Sequence, residues 1–411
     1  MNEITNNSDL LLFTVAGPDG PGITAKLMSV IHDSGDILRD MGQAVTHGLL
    51  SLSFLVEIKN KTNGEVNVVK ELLYHGSQMN LNITFQEIND SRDMPGPIVD
   101  QEKFILNCVA PEDITARFIS DVASALSKSG INIQRIDNIR PSTFEALEIT
   151  TTVPDQLDYK GIKEELLKIS TEHRIDIAFL KDNVFRRSKR LIVFDMDSTL
   201  IQTEVIDEMA DVMGAGEQVR AVTEAAMNGE MDFDESLRQR VSKLKGLKVG
   251  QMQEILESLP FTPGVEEFVK TVKSLGYKVA LISGGFSFFA EALKEKLDLD
   301  YAFANDLVIK DGVLTGEVEG TIINAQQKAL LVKVISQQEK ISLEQVVAIG
   351  DGANDLPMLS TAGLGIAFHA KDIVRREAQN HMSHGPMTSI LYFLGIPRET
   401  SKEMTNEKDQ S

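Results

Sequence analysis

Two acids two residues apart, Asp195 and Asp197, close the apolar tetrad Leu191-Ile192-Val193-Phe194 and are followed by Ser198-Thr199. Four apolar residues without a charge predict a strand buried on both faces, as in a parallel α/β sheet. Open sheets of that kind keep their ligand sites at the carboxyl ends of strands, where both carboxylates fall. The hydroxyls and turn amides of Ser198-Thr199 suit an anion. Carboxylates beside an anion need a cation between them, and an all-oxygen donor set favours Mg²⁺. A lone pair of acids at this spacing is more often just a strand running into a solvated turn. Three further stretches weigh against that bland reading. They are Ser283-Gly284-Gly285 after a strand expected at 279–282, Lys328 in a helical segment, and Gly350-Asp351-Gly352-Ala353-Asn354-Asp355 after a strand expected at 346–349.

In this order the four stretches resemble the motifs of the haloacid dehalogenase superfamily of aspartyl-phosphate phosphatases, and residues 191–395 resemble its phosphoserine phosphatases almost throughout. The resemblance implies a Rossmann-like α/β core with a helical cap. It implies that Asp195 is the nucleophile and that Asp197 protonates the leaving alkoxide, then takes a proton from water. The Asp195 side chain, the Asp197 backbone carbonyl and the Asp351 side chain would hold Mg²⁺. Ser283, the Gly284 amide and Lys328 would bind phosphoryl oxygens, while Asn354 and Asp355 would orient the phosphate and the surroundings of the metal. On the cap side, Glu204 would meet the substrate ammonium and Arg240 its carboxylate, with Met227 and Phe233 lining the inner surface. Without the resemblance, Lys328 reads as a solvated helix lysine, Arg240 as a surface arginine and Phe233 as a core residue.

The implied reaction is hydrolysis of L-phosphoserine to L-serine and phosphate through an aspartyl-phosphate, as the last step of serine biosynthesis. Two alternatives stay open: a phosphatase of another small phosphomonoester, or an amino-acid-sensing regulatory protein with a vestigial phosphatase domain. The second acid, Asp197, favours hydrolysis over phosphoryl transfer, and the intact acids and lysine count against decay.

Elements must position these groups. Residues 203–260 are rich in Met, Glu, Ala and Leu with no strand pattern, which predicts the helical cap, and Phe261-Thr262-Pro263-Gly264 is a return hinge. Helices are expected at 265–275, 286–297 and 326–337, and strands at 307–309, 313–318 and 365–368. Asp311-Gly312 between two of these strands predicts a hairpin turn. The phosphatase domain thus spans 190–395, followed by a polar tail at 396–411.

Ahead of it stand two α+β units, 9–90 and 103–181, each read as a ferredoxin-like βαββαβ module. In the first, strands are marked at 10–16, 48–58 and 82–88, and helices at 23–34 and 66–79. Ile23, Leu27, Val30 and Ile31 hold helical spacing. Both units resemble ACT domains, modules with which amino-acid-pathway enzymes sense an amino acid. The loop Gly17-Pro18-Asp19-Gly20-Pro21-Gly22 could carry an effector: its glycines admit a close backbone approach and Asp19 could answer an ammonium. It could also be only a tight turn. The candidate effector site is therefore Asp19, Gly20 and Gly22, with L-serine as effector, and the resemblance implies a homodimer through these modules. The second unit has Ala110-Pro111-Glu112-Asp113-Ile114 at the matching place, without glycines, which puts its ligand binding in doubt.

Residues 91–101, rich in Pro and Gly, read as a linker, and 181–190 as a solvated basic one. His381 and His384 read as surface residues one helical turn apart, with no zinc partners. The balance of 41 basic and 61 acidic residues, net −20, argues against a nucleic-acid or anionic-membrane surface. One cysteine, Cys108, excludes an internal disulfide, and no leader or long apolar run is visible, so the expectation is a cytoplasmic protein.

Overall fold

The structure, a computed structural model, describes residues 9–59, 67–88, 102–140, 144–227 and 230–396. The linker expected at 91–101 and the tail beyond 396 lie outside the described residues. The chain divides into two compact units, Met1–Asp100 and Gln101–Ser411.

The first unit runs β1 (Asp9–Pro18), α1 (Ile23–Ser34), β2 (Ile37–Thr46), β3 (Leu49–Ile58), α2 (Asn67–Gln78) and β4 (Asn82–Ile88), with sheet order β2-β3-β1-β4. Every second residue of β1 and β3 (Leu11, Phe13 and Val15; Leu50, Leu52, Phe54, Val56 and Ile58) turns inward, as a two-residue period dictates. The helix stripe Ile23, Leu27, Val30 and Ile31 packs on that face. The apolar pattern leaves 37–46 unmarked, and this stretch is the edge strand β2, exposed along nearly its whole length. An edge strand outside the core carries no alternation to read.

The second unit opens with β5 (Lys103–Val109), α3 (Ala116–Lys128), β6 (Asn132–Asn138), β7 (Ala146–Thr152), α4 (Tyr159–His173) and β8 (Asp176–Lys181), in sheet order β6-β7-β5-β8. Next come β9 (Leu191–Phe194) and four cap helices, α5 (Val205–Val212), α6 (Gly216–Met227), α7 (Phe233–Ser242) and α8 (Val249–Ser258). The core resumes with α9 (Val265–Ser274), β10 (Lys278–Phe286), α10 (Ser287–Leu297), β11 (Tyr301–Lys310) and β12 (Val313–Glu319). It ends with α11 (Ala325–Gln338), β13 (Val346–Gly350), α12 (Leu356–Thr361), β14 (Leu364–Phe368), α13 (Asp372–Glu377), β15 (Asn380–Met382) and α14 (Ile390–Phe393).

The seven-stranded sheet has the order β12-β11-β10-β9-β13-β14-β15, and β9 lies parallel between β10 and β13. All four β9 residues are fully buried, each worth about 1.5–3 kcal/mol in transfer free energy. The β11–β12 hairpin turns at Asp311 and Gly312, with φ of 51° and 74°, the signs a two-residue hairpin of matching twist requires. The hinge is real: Phe261 bridges Ile201, and Gly264 starts α9 with φ 85°.

Two expectations are corrected. The connector 181–190 is solvated only in part: Lys181, Asp182, Asn183, Val184, Arg187 and Arg190 are exposed, but Arg186 and Lys189 are only 5% and 8% exposed and Arg186 pairs with the buried Glu148 of β7. Nor is His381 a surface residue on a helix. It sits in β15, 6% exposed, with Nε2 3.1 Å from Ser170 Oγ. Both errors share a cause: the second module docks on the β15 edge of the catalytic sheet. Asp176 accepts backbone N–H bonds from Ser383, His384 and Gly385 at 2.6, 3.1 and 3.1 Å, and Asn107 Nδ2 donates to the Tyr392 carbonyl at 3.3 Å. Docking of that kind leaves no local pattern in a sequence.

Candidate active site

The site forms where β9, β10 and β13 end together. Asp195 leaves β9 with its N–H donating to the Ile349 carbonyl, and its carboxylate is 6% exposed. Beyond it the chain turns sharply through Ser198, whose φ of 57° is a strained value for a residue with a side chain. This turn folds Asp197 back, so that its Oδ1 accepts the Val205 N–H at 2.8 Å at the start of α5. Its Oδ2 lies 3.4 Å from Ser283 Oγ. Ser283 is itself fully buried, and its Oγ accepts the Gly285 N–H at 2.8 Å.

Lys328, in the first turn of α11, is entirely buried and donates to Asp195 Oδ1 at 2.6 Å and Asp355 Oδ1 at 2.7 Å. Asp355 Oδ2 in turn accepts the Gly352 N–H at 3.0 Å, which folds the loop after β13 over it. A side chain at Gly350 would collide with that carboxylate, its Cβ lying 2.5 Å from Asp355 Oδ2. Gly350 is therefore needed for the close approach of Asp355. Asp351 accepts a hydrogen bond from Thr199 Oγ1 at 3.1 Å. Asn354 stands on the same loop, its Oδ1 2.2 Å from where a Gly352 Cβ would be.

Burial opposes the Lys328 charge, but Asp195 and Asp355 outweigh it and hold the ammonium above its ordinary pKa. Burial, then repulsion from Asp355, raises Asp195 well above the usual carboxylate range. Burial and Glu204 lift Asp197 to about 7, and burial and Asp355 lift Asp351 to about 7. Four carboxylates thus face one ammonium, and this charge deficit is what a divalent cation would relieve. Ligand oxygens of Asp195, Asp351 and Asp355 lie within 4.8 Å of one another, an all-oxygen set that fits such an ion.

Above the acids sits the cap. Phe233 opens α7 and lies over the serine–glycine turn, its Cζ 3.0 Å from a Cβ placed on Gly284. Two turns on, the half-buried Arg240 feels the charges of Glu204, Asp207 and Asp197. Glu204 precedes α5 and accepts a hydrogen bond from Ser198 Oγ at 2.9 Å. Met227 ends α6, and its side chain lies outside the described residues.

Family profiles match residues 189–363 as a haloacid dehalogenase-like hydrolase, and residues 9–86 and 108–180 each as an ACT domain. A phosphoserine phosphatase of Mycobacterium tuberculosis is 38% identical over 392 residues, covering 94% of this chain and 93% of that protein. The phosphoserine phosphatase of Streptomyces coelicolor is 37% identical over 401 residues, 96% of this chain and 94% of that protein. The chain belongs to the phosphoserine phosphatase family. Among solved structures, a haloacid dehalogenase family hydrolase of Salmonella enterica superposes with TM-score 0.62 at 31% identity, over 71% of this chain and 98% of that one. An unliganded probable phosphoserine phosphatase of Vibrio cholerae gives 0.57 at 35%, over 74% and 88%.

As a family member the chain is a phosphoric monoester hydrolase, with a phosphatase core and ACT domains ahead of it. The fold brings Asp195, Asp197, Ser283, Gly284, Lys328, Asp351, Asn354 and Asp355 to one end of the sheet, and sets Glu204, Phe233 and Arg240 at the cap. In the first unit Asp19, Gly20 and Gly22 share the β1–α1 loop, with open space beside both glycines. Helix α1 starts at Gly22 with no side-chain cap, whereas Thr115 caps α3 by accepting from Phe118 N. The two modules therefore differ where the sequence suggested that they would.

Sequence reasoning missed several supports. The buried Asn305 donates to the Gly284 carbonyl at 2.8 Å and accepts the Ile323 N–H at 2.7 Å, clamping the glycine turn. Asn324 caps α11 and donates to Asp234 Oδ1 of the cap at 3.1 Å. Thr199 was visible as a hydroxyl beside the acids, but its tie to Asp351 was not.

Proposed function

We propose that the chain hydrolyses L-phosphoserine to L-serine and phosphate through a covalent phosphate on Asp195, with Mg²⁺ as the metal, as the last step of serine biosynthesis. The observation that carries this reading is the pairing of two unlike carboxylates under one cap. Asp195 is fixed by Lys328, while Asp197 is raised to about 7 beside the cap's Arg240 and Glu204. Mg²⁺ held by Asp195, Asp351 and the Asp197 carbonyl would supply charge neutralisation for the phosphoryl oxygens.

An oxygen of Asp195 attacks phosphorus, and the bond from phosphorus to the serine oxygen breaks. Asp197, whose pKa suits exchange near neutrality, gives its proton to the departing alkoxide. It then removes a proton from water, which displaces Asp195 from phosphorus and releases inorganic phosphate. Ser283, the Gly284 amide, Asn354 and the Lys328 ammonium hold the phosphoryl oxygens. Arg240 grips the substrate carboxylate and Glu204 its ammonium, while Phe233 and Met227 keep bulk water from the phosphoenzyme.

In the first ACT domain, the uncapped helix start at Gly22 with Asp19 beside it supports L-serine as effector, acting in a dimer of the chain. Mg²⁺-dependent phosphate release across phosphoserine, phosphothreonine, sugar phosphates and an aryl phosphate tests the substrate. A clear preference for phosphoserine, lost in Asp195→Asn, is expected. Equal rates on all four would reject it in favour of a general phosphomonoesterase.

A further inference from the structure

The catalytic groups crowd the carboxyl ends of the strands, yet the opposite end of the same sheet holds a cavity of about 370 Å³. Its walls come from three places within the second unit. Leu180 and Lys181 end β8 of the second module, Phe185, Arg186 and Lys189 belong to the connector, and Glu344 and Leu364 stand at the amino ends of β13 and β14. The volume lies in the range of small-molecule sites.

Its charges are unevenly matched. Lys189 is 8% exposed, and its ammonium donates to a backbone carbonyl, that of Glu344, at 2.5 Å. An ammonium has three donors and is costly to bury without a close counter-charge, and burial draws this one down to about 8 although the Glu344 carboxylate pulls the other way. Arg186, 5% exposed, spends Nη2 on Glu148, while its Nε is buried without an acceptor. Glu148 is shared with Arg187, and Lys181 is paired with Glu102. The remaining acid, Glu344, is exposed at the rim. Leu180, Phe185, Leu364 and Phe393 supply an apolar wall, beside Asn183 and Gly363.

We propose that this cavity binds a small organic carboxylate with a short apolar body, its carboxylate on Lys189 and Arg186 and its hydrocarbon against the apolar wall. Such a ligand meets the second module, the connector and the catalytic sheet at once. Lys189 precedes Asp195 by six residues of nearly extended chain, roughly 20 Å, so the ligand cannot touch the substrate. Any effect on catalysis would come through preference for one arrangement of the unit.

Isothermal titration of the full chain with sodium 3-methylbutanoate, at fixed ionic strength, tests the site, with neutral 3-methylbutanamide as control. Saturable binding of the carboxylate but not of the amide is expected. Lys189→Met should weaken it about ten- to a hundredfold, the loss of one charge-assisted contact, and Lys189→Arg should largely restore it. Melting curves of each variant check that the chain is folded. Absence of saturable binding, equal binding of the amide, or unchanged affinity in Lys189→Met would overturn the proposal. So would loss of binding in Arg240→Ala with Lys189→Met unaffected, which would place the carboxylate in the catalytic pocket.

Discussion

At the scale of single residues, the two acids of the loop after β9 are separated by what surrounds them. Asp195 is tied to a buried lysine, whereas Asp197 is held by an amide and a serine hydroxyl. Asp195→Asn should therefore abolish the acid-stable, base-labile label trapped by rapid quench from ³²P-phosphoserine. Asp197→Asn should retain some label but slow both its formation and its breakdown. A full label in Asp195→Asn would sink the assignment of nucleophile. In the proposed reading, substrate choice rests on Glu204 and Arg240. Glu204→Gln or Arg240→Ala should cost phosphoserine about ten- to a hundredfold in kcat/KM and spare an aryl phosphate. Equal losses on both substrates would mean that the cap, and not recognition, had been damaged. The residue types were legible from their order along the chain. The clamp by Asn305 and the tie of Thr199 to Asp351 were not, because an asparagine in a strand or a threonine in a turn shows no bond until its partner arrives.

At the scale of elements, the edge where β8 meets β15 carries consequences for pH. Burial, aided by Arg375 and Lys163, lowers His381 to about 4. Its folded value lies below its ordinary one near 6.5, so its contribution is in place above about pH 6.5 and is lost as pH falls through about 4. Over that window the loss is ~3 kcal/mol. Burial raises Asp176 despite its three N–H partners, which acts in the opposite sense and offsets part of this. His381→Gln should flatten the fall in melting temperature between pH 6.5 and 4.5 relative to the unaltered chain; an identical slope would remove His381 from the account. The same edge reaches the cap hinge. The loop that Asp176 holds leads into Met387, whose N–H donates to the Pro263 carbonyl, and Thr388 packs against Gly264. Asp176→Asn replaces an acceptor by a donor facing backbone N–H groups and should lower stability by about 2–4 kcal/mol, read by urea unfolding.

At the scale of the whole chain, the division after Asp100 suggests where to cut. Removing residues 1–100 takes away Asp19, Gly20 and Gly22 and leaves the docked second module intact. That shortened chain should keep phosphatase activity and lose inhibition by L-serine, apart from simple product inhibition at the catalytic site. If serine inhibits it as strongly as the full chain, the effector site does not lie in the first module. Cutting near Arg187 would be a poorer test, because it strips Asn107, Glu148 and Asp176 from a packed face. Among the described residues no helix is long and apolar enough to cross a membrane.

The sequence by itself determined the buried strands, the acids that end them and the helical insertion of the cap. It did so because an apolar tetrad and a glycine-rich turn constrain the backbone locally. It also marked the loop at Asp19 to Gly22 as unlike its counterpart in the second module, a difference of capping that resides in a few consecutive residues. Tertiary structure alone decided what Arg186, Lys189 and His381 face. For His381 that burial depends on a module some two hundred residues away, through Ser170. Charge and polarity predict exposure only while no partner offers an ion pair or a hydrogen bond, and here Glu148, Ser170 and the Glu344 carbonyl do.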